Sequence, residues 1–460
     1  MPQVTLHWFR RDLRLTDNTA LLHAAQSSEQ VVPVYILSDW TKNHNWTGSA
    51  RQKFLCGCLD SLSKNLESTG SRLIIRQGRA DEEIERLILE TRAGAVHTNR
   101  DPDPHGKAME RKVAAVCARL GVEFHTHKDC VLHEASEILT GEGKPYRVYT
   151  PYSRNWLAQA KATPRTRAVS LGAPSSIPSH ELPTLESWRL PPFGGELPAA
   201  GERAARIRMK HFIDSGILAD YTQTRNTPSG QSTSRLSQDL RFGLISIREL
   251  FQRCQEAASA SALTYIKELA WREFYMAVLH HWPEVLETEF KADFRNVPWE
   301  SPAGHFEAWK AGRTGFPIVD AGMRELLGTG FMHNRVRMIA GMFLTKDLHV
   351  HWRLGENFFM QHLVDGEIAS NNGGWQWCAG TGADAAPYFR IQNPWTQTKR
   401  YDPQGSYIKK WIPELRGQPL DKLIEPPKLR LHADYPLPIV DHATERDRTL
   451  ARFRNARHQD

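Results

Sequence analysis

The first part of the chain breaks into short apolar runs separated by polar, helix-spaced stretches, and that rhythm stops about residue 200. Val4–Phe9, Val31–Leu37, Arg72–Gln77 and Ala95–Thr98 read as strands, and Gly48–Glu67 and Asp81–Thr91 as helices between them. Strands that alternate with helices predict a parallel sheet covered on both faces. The first strand leads into RRDLRLTDN rather than a G-x-G-x-x-G turn. This Rossmann-like α/β domain is therefore expected to be a scaffold without a dinucleotide fingerprint.

Between Ala173 and Ala200, six prolines and Gly194–Gly195 mark a linker that wraps over the surface between two domains. Beyond Arg203 strand-like alternation disappears, and helical periodicity runs to about Asp347. The expected organisation is an α/β domain over residues 1–130, a junction and linker over 131–202, and an all-α domain over 203–460.

Two helical stretches carry more than a core stripe. In Leu263–Trp282, Ile266, Leu269, Ala270, Phe274 and Ala277 form the apolar face, while Glu268, Trp271, Arg272 and Tyr275 share another. A surface Glu–Arg pair explains the charges but not the indole between them. A carboxyl, a stacking plane and a guanidinium together suit a nucleobase with a phosphate nearby. In Met332–Leu348, Asn334, Arg337, Met338 and Gly341 fall on one face, with Arg335 on its flank. An amide, a guanidinium and a glycine around a thioether suit a cofactor wall, whereas methionine alone is a gap filler.

The stretch DGEIASNNGGWQWCAGTGADAAPYFRIQNP, from Asp365 to Pro394, joins an acidic pair, a double amide, a double glycine and two indoles. Glycines admit close approach of a flat ligand, amides and acids satisfy ring heteroatoms, and indoles stack. The hydroxyls of TSRLS (Thr233–Ser237) are either ordinary caps or holders of a pyrophosphate. HVHW and HTHKDC lack a metal-ligand spacing, and no G-x-S-x-G elbow occurs.

Lys and Arg total 59 against 52 Asp and Glu, a net charge of +7. That permits nucleic-acid binding, and equally serves solubility. The six scattered cysteines exclude a zinc ribbon, an iron–sulfur cluster and a secreted disulfide framework. No apolar run approaches about 18 residues and no signal-type segment opens the chain. A cytoplasmic, soluble monomer without metal or membrane is expected.

These motifs, in order over nearly the whole chain, resemble the photolyase/cryptochrome family. HWFRRDLRLTDNTAL is similar to its opening and GKPYRVYTPYSRNW to its domain junction. TSRLS, WREFY, GFPIVDAGMREL, GFMHNRVRM and NNGGWQW are similar to its flavin domain. The resemblance implies a bent FAD in the helical domain, with Tyr221, Thr233, Ser234, Leu236 and Ser237 on its phosphates and ribose. Asn334, Arg337, Asp365, Glu367 and Asn371 would surround the flavin, Asn371 nearest N5.

Within the family, Glu268, Trp271, Met338 and Trp377 match class I cyclobutane pyrimidine dimer photolyases. (6-4) photolyases place histidines at the positions of Asn334 and Met338, and DASH cryptochromes a Tyr and a Gln at those of Trp271 and Met338. The short stretch after PIVDH also differs from the long extensions of many signalling cryptochromes. The resemblance thus implies light-driven repair of damaged DNA: an electron from excited reduced FAD splits the flipped-out dimer and then returns. A blue-light photoreceptor is the alternative. Glu268 would stabilise the lesion anion, Trp271 and Trp377 would stack on it, and Arg225, Arg272, Arg335 and Arg390 would engage phosphates. Trp375, Trp352 and Trp299 would carry electrons between flavin and surface. Trp40, His44 and Asn45 are similar to a folate-binding loop, yet Gly106 stands where folate-binding members have glutamate. That departure speaks against folate and leaves the antenna site to a deazaflavin, another chromophore or none.

Overall fold

The computed structural model describes residues 2–38, 46–167, 171–172, 176–300, 303–383 and 390–456. Five strands, β1 (Val4–Phe9), β2 (Gln30–Leu37), β3 (Ile74–Gln77), β4 (Ala95–Asn99) and β5 (Glu123–His127), form a wholly parallel sheet in the order β3-β2-β1-β4-β5. Helices α1 (Thr19–Ser27), α2 (Ser49–Glu67), α3 (Ala80–Thr91) and α4 (Pro104–Leu120) connect them. β1 is buried at five successive positions, as a strand covered on both faces must be. Local signals set the helix ends: Asn18 caps α1 by accepting from Leu21 N at 3.1 Å. Pro104 opens α4, and Gly121 closes it at φ 68°.

β5 is the strand that the apolar pattern misses. Its sequence EFHTH lies at the sheet edge, half-exposed, so burial never forces it to be apolar. His125 and His127 stand there beside His97, whose Nδ1 lies 3.1 Å from His127 Nε2. Burial pushes His97 and His127 down to about 3, so these rings stack as neutral imidazoles. Among the described residues no group of three or more His, Cys, Asp or Glu is placed to hold a metal. All six cysteines are free thiols, and no described helix is long and apolar enough to cross a membrane.

The junction is more than a linker. It contains α5 (Tyr149–Ala158), whose Trp156 is fully buried and donates Nε1 to Glu273 Oε2 at 2.6 Å. Glu273 also accepts from Leu132 N at 2.5 Å and His133 N at 3.0 Å, which ties the junction to the Ala260–His281 helix. The Pro-rich segment then runs along α2: Trp188 is buried, and Glu196 N bonds Gly328 O at 3.1 Å.

From Glu202 on, the described chain is helical. The expected Met332–Leu348 helix is shorter and broken. It starts at Asn334, because the His333 ring caps it by accepting from Arg335 N at 3.1 Å. After Met342 it widens into a π turn, Phe343–Asp347, which places Lys346 fully buried against the Ala379 carbonyl.

A buried ionic seam fastens the sheet region to the helical region. Arg14 and Arg248 both bind Asp129, each at 2.7 Å, and Arg248 binds Asp17 at 3.0 Å. Nearby, Arg11 reaches Asp101 and Asp103, each at 3.1 Å, and Glu367 at 2.5 Å.

Candidate functional site

The residues matched to a substrate pocket are linked by a run of neighbouring contacts. Trp271 lies face to face with Tyr149 from α5, ring centroids 3.6 Å apart at 8°. One turn earlier on the same helix, Glu268 receives Arg225 Nη1 at 2.5 Å. Asn226, next in the chain, accepts from Arg335 Nη2 at 2.7 Å, and Arg335 Nη1 reaches Met338 Sδ at 3.5 Å. Met338 O accepts from Cys378 Sγ at 3.7 Å, beside Trp377. The Arg390 guanidinium lies 5.4 Å from the Trp377 ring. Tyr275, 5.5 Å from Trp271, packs over Gly373 on the helix bearing Trp377.

Glu268 is about a third exposed, as is Arg225. Burial raises the Glu268 carboxyl above its ordinary value, and the Arg225 charge opposes that shift. Together these residues offer aromatic faces, a thioether, one carboxylate and guanidinium groups.

A second set lies around Asp365, and its unmet polar atoms test whether a flavin fits. Asp365 binds Arg337 through Oδ2 at 2.8 Å, while its buried Oδ1 has no partner among the described residues. Asn371 donates Nδ2 to Glu356 O at 3.1 Å, which leaves its Oδ1 as an acceptor. Asn334 is exposed, and a Cβ on Gly374 would meet nothing within 4 Å. Burial pushes Glu356 up to about 7 against its Asn372 hydrogen bond, so part of it is neutral near Asn371 at pH 7.

Thr233 and Ser237 present hydroxyls without partners among the described residues, and Tyr265 holds Ser234 Oγ at 3.0 Å. Leu236 is fully buried, its N donating to Ser234 Oγ at 3.4 Å and its O accepting from Leu240 N at 2.9 Å, and Tyr221 is buried edge-on to Tyr265. The helix that starts at Ser237 has only five residues. Its dipole is small, and hydroxyls and backbone N–H groups would carry phosphate binding. Orphan acceptors at one end and free hydroxyls at the other suit FAD.

The tryptophans expected to conduct electrons grade outward. Trp375 and Trp352 are buried in one apolar core, against which half-buried Trp299 packs. His351 lies between the outer two, its ring 5.7 Å from Trp352 and 5.3 Å from Trp299.

Three expectations change. Arg272 does not face a phosphate: it donates to Cys130 O at 2.8 Å and reaches Glu367 at 3.3 Å, inside the seam. Glu367 does not point at a flavin either, because Arg11 and Arg272 take one oxygen each. Burial alone would raise its carboxyl, yet those two charges hold it below the ordinary value. Of the two glycines, Gly373 makes room for the Tyr275 ring rather than for a ligand: a Cβ there would come within 2.1 Å of it. Tyr149, which the reading of sites passed over, sits in the junction motif, and only the fold brings it to Trp271.

Trp40, His44 and Asn45 lie outside the described residues. At Gly106 a Cβ would stand 2.4 Å from Asp101, the carboxylate shared by Arg10 and Arg11. A larger side chain there would displace Asp101 from Arg10 and Arg11.

Two family models match the chain: DNA photolyase over residues 5–170 and the FAD binding domain of DNA photolyase over 265–455. A deoxyribodipyrimidine photo-lyase of Synechococcus sp. is 42% identical over 95% of this chain and 93% of its own. The crystal structure of a bacterial class III photolyase from Agrobacterium tumefaciens superposes with a TM-score of 0.93 at 37% identity. That match covers 99% of this chain and 98% of the other. A cryptochrome of Synechocystis sp. gives 0.89 at 28% identity, over 97% and 98%.

Proposed function

The chain belongs to the DNA photolyase family, and from that membership we propose that it splits cyclobutane pyrimidine dimers in DNA under light. It is a flavoprotein lyase, and the run of contacts that joins Trp271, Glu268 and Met338 is the observation that supports a cyclobutane dimer as substrate. FAD, bound in reduced form, supplies the photoexcited electron that opens the ring. The protein's part is to bind, orient and stabilise.

A dimer stacks and pairs poorly, so it leaves the duplex more cheaply than a normal pair. Trp271, held rigid by Tyr149, and Trp377 receive its faces, with stacking worth about 1–3 kcal/mol per base. Arg225, Arg335 and Arg390 meet phosphates and give affinity without sequence preference. Glu268, oriented by Arg225, hydrogen-bonds the pyrimidine edge and stabilises the charge that develops there. Asp365, Arg337, Asn334 and Asn371 hold the flavin, and Tyr221, Thr233, Ser234, Leu236 and Ser237 the rest of FAD. Trp375, Trp352 and Trp299 restore the reduced state and take no part in repair.

Glu268→Gln keeps FAD and damaged DNA bound but slows splitting about tenfold, the effect of roughly 1.4 kcal/mol. Repair per absorbed photon measures it, and an unchanged yield removes the role of Glu268. Arg390→Ala weakens binding equally across sequences and lowers the slope of log affinity against log salt by about 1. Titration of labelled damaged oligonucleotide across salt concentrations checks this, and an identical slope takes Arg390 off the phosphate path.

A blue-light photoreceptor with little duplex repair, DASH type included, is the rival reading, favoured by the cryptochrome match. The deciding assay illuminates reduced protein with ultraviolet-damaged thymine oligomer. Regained thymine absorbance supports repair; dimers that persist beside reduced flavin favour the photoreceptor.

A further inference from the structure

We propose that Tyr149 is a positioning residue for lesion recognition: stacked on one face of Trp271, it fixes the indole so that a flipped-out dimer meets a single preset plane. The junction helix α5 thereby sets the preference for damaged over undamaged DNA. The proposal rests on the reading of Trp271 as the platform for the lesion. Among the described residues Tyr149 is the ring that lies parallel on Trp271, at 3.6 Å and 8°. Phe274 meets the indole edge-on at 5.7 Å and 78°, and Tyr275 lies tilted at 5.5 Å and 35°. Trp271 stays half-buried, so the face turned away from Tyr149 is the one a base can cover.

The tyrosine is itself held on several sides. Its Oη donates at 2.7 Å to the carbonyl of Lys267, one turn before Trp271 on the same helix. Its ring meets fully buried Phe274 at 5.8 Å and 71°, and Tyr152, further along α5, meets Phe274 at 5.2 Å. The far end of α5 is tied to that helix where Trp156 donates to Glu273. Tyr149 is thus anchored in the packed core on one side and forms a wall for Trp271 on the other.

An unsupported indole on a helix surface samples several χ1 and χ2 rotamers, and a lesion that stacks on it must select one. Freezing such a side chain only on binding lowers affinity about fivefold. The stack with Tyr149 fixes the rotamer when the protein folds, before any DNA arrives. Undamaged duplex keeps its bases stacked and paired and meets the protein through its phosphates, so it gains nothing from a preset indole. The advantage falls to the dimer alone.

Tyr149→Leu tests this, since it removes the stacking ring and keeps an apolar side chain against Phe274. Fluorescence anisotropy of flavin-loaded protein in the dark, with labelled duplexes that carry one dimer or none in the same sequence, reads both affinities. The dimer duplex is expected to bind about fivefold more weakly and the undamaged one as before. In repair, KM rises while repair per photon at saturation does not change. Tyr149→Phe keeps the ring and restores dimer binding, although it gives up the bond to Lys267 O. In a Trp271→Leu background Tyr149→Leu has no further effect, because the residue it acts through is gone. Equal losses for both duplexes, no rescue by Tyr149→Phe, or additive losses in the double variant overturn the proposal. Trp271→Leu alone separates the underlying reading: dimer affinity as in wild type removes the lesion platform itself. A weakened Trp271→Leu beside an unaffected Tyr149→Leu removes only the role of Tyr149.

Discussion

Asp129→Ala lowers stability by about 3–5 kcal/mol, the effect of leaving buried charges without their partner. Asp129 is 2% exposed and holds Arg14 from the sheet domain and Arg248 from the helical one, each at 2.7 Å. It also accepts from Thr19 N at 3.2 Å and Thr19 Oγ1 at 2.9 Å. Burial alone would raise this carboxyl, but the two guanidinium groups hold it well below the usual range. A depressed folded value means that this stability is present above about pH 4, the unfolded value. It is lost as pH falls from there toward the folded one. Urea unfolding of the holoprotein, read by tryptophan fluorescence and flavin release, measures the loss. A lower midpoint is expected, because the variant leaves Arg14 of the sheet region and Arg248 of the helical region without their shared partner. Asp129→Asn keeps the shape and loses only the charge, so it should fall between. A variant as stable as wild type would show that the seam does not fasten the sheet region to the helical one.

That seam explains what the sequence could and could not disclose. Val4–Phe9 is a strand in both readings, and the Gly48–Glu67 pattern matches α2 to one residue, because burial on a sheet or helix face leaves a period. Trp271 and Glu268 share a helix face by spacing, and the structure puts both on the Ala260–His281 helix. Arg272 was not legible in the same way. Its i+4 spacing from Glu268 suggested a shared face, but side chains 100° apart around a helix, as those of Trp271 and Arg272 are, have different neighbours, and those of Arg272 are Cys130 and Glu367. Arg11 and Glu367 lie 356 positions apart, and charged residues give no sign of being buried until their partner is known. Tyr149 was hidden likewise: YRVYTPY identifies the junction, while the stack on Trp271 depends on how α5 lies against the Ala260–His281 helix.

Asp365→Ala purifies without colour, or loses FAD on dilution, with affinity reduced about 100-fold for a lost charge-assisted hydrogen bond of roughly 3 kcal/mol. Asp365 has one oxygen committed to Arg337 and a second, buried, that nothing among the described residues satisfies. A buried acceptor left unmet is unfavourable in the protein alone, so a donor on the cofactor removes a penalty as well as adding a bond. Arg337 is anchored independently, its Nε donating to Met332 O at 2.7 Å, so the loop does not depend on Asp365 alone. Asp365→Asn separates the two contributions: it keeps an oxygen and the packing, gives up the charge facing Arg337, and should retain FAD more weakly than wild type. Fluorescence of released flavin, titrated against each apoprotein, gives the constants. Far-ultraviolet circular dichroism shows whether the helices remain. If Asp365→Ala holds FAD as tightly as wild type while folded, the unmet oxygen is not the cofactor's acceptor, and the flavin must be anchored from Asn371 and the Thr233–Ser237 hydroxyls instead.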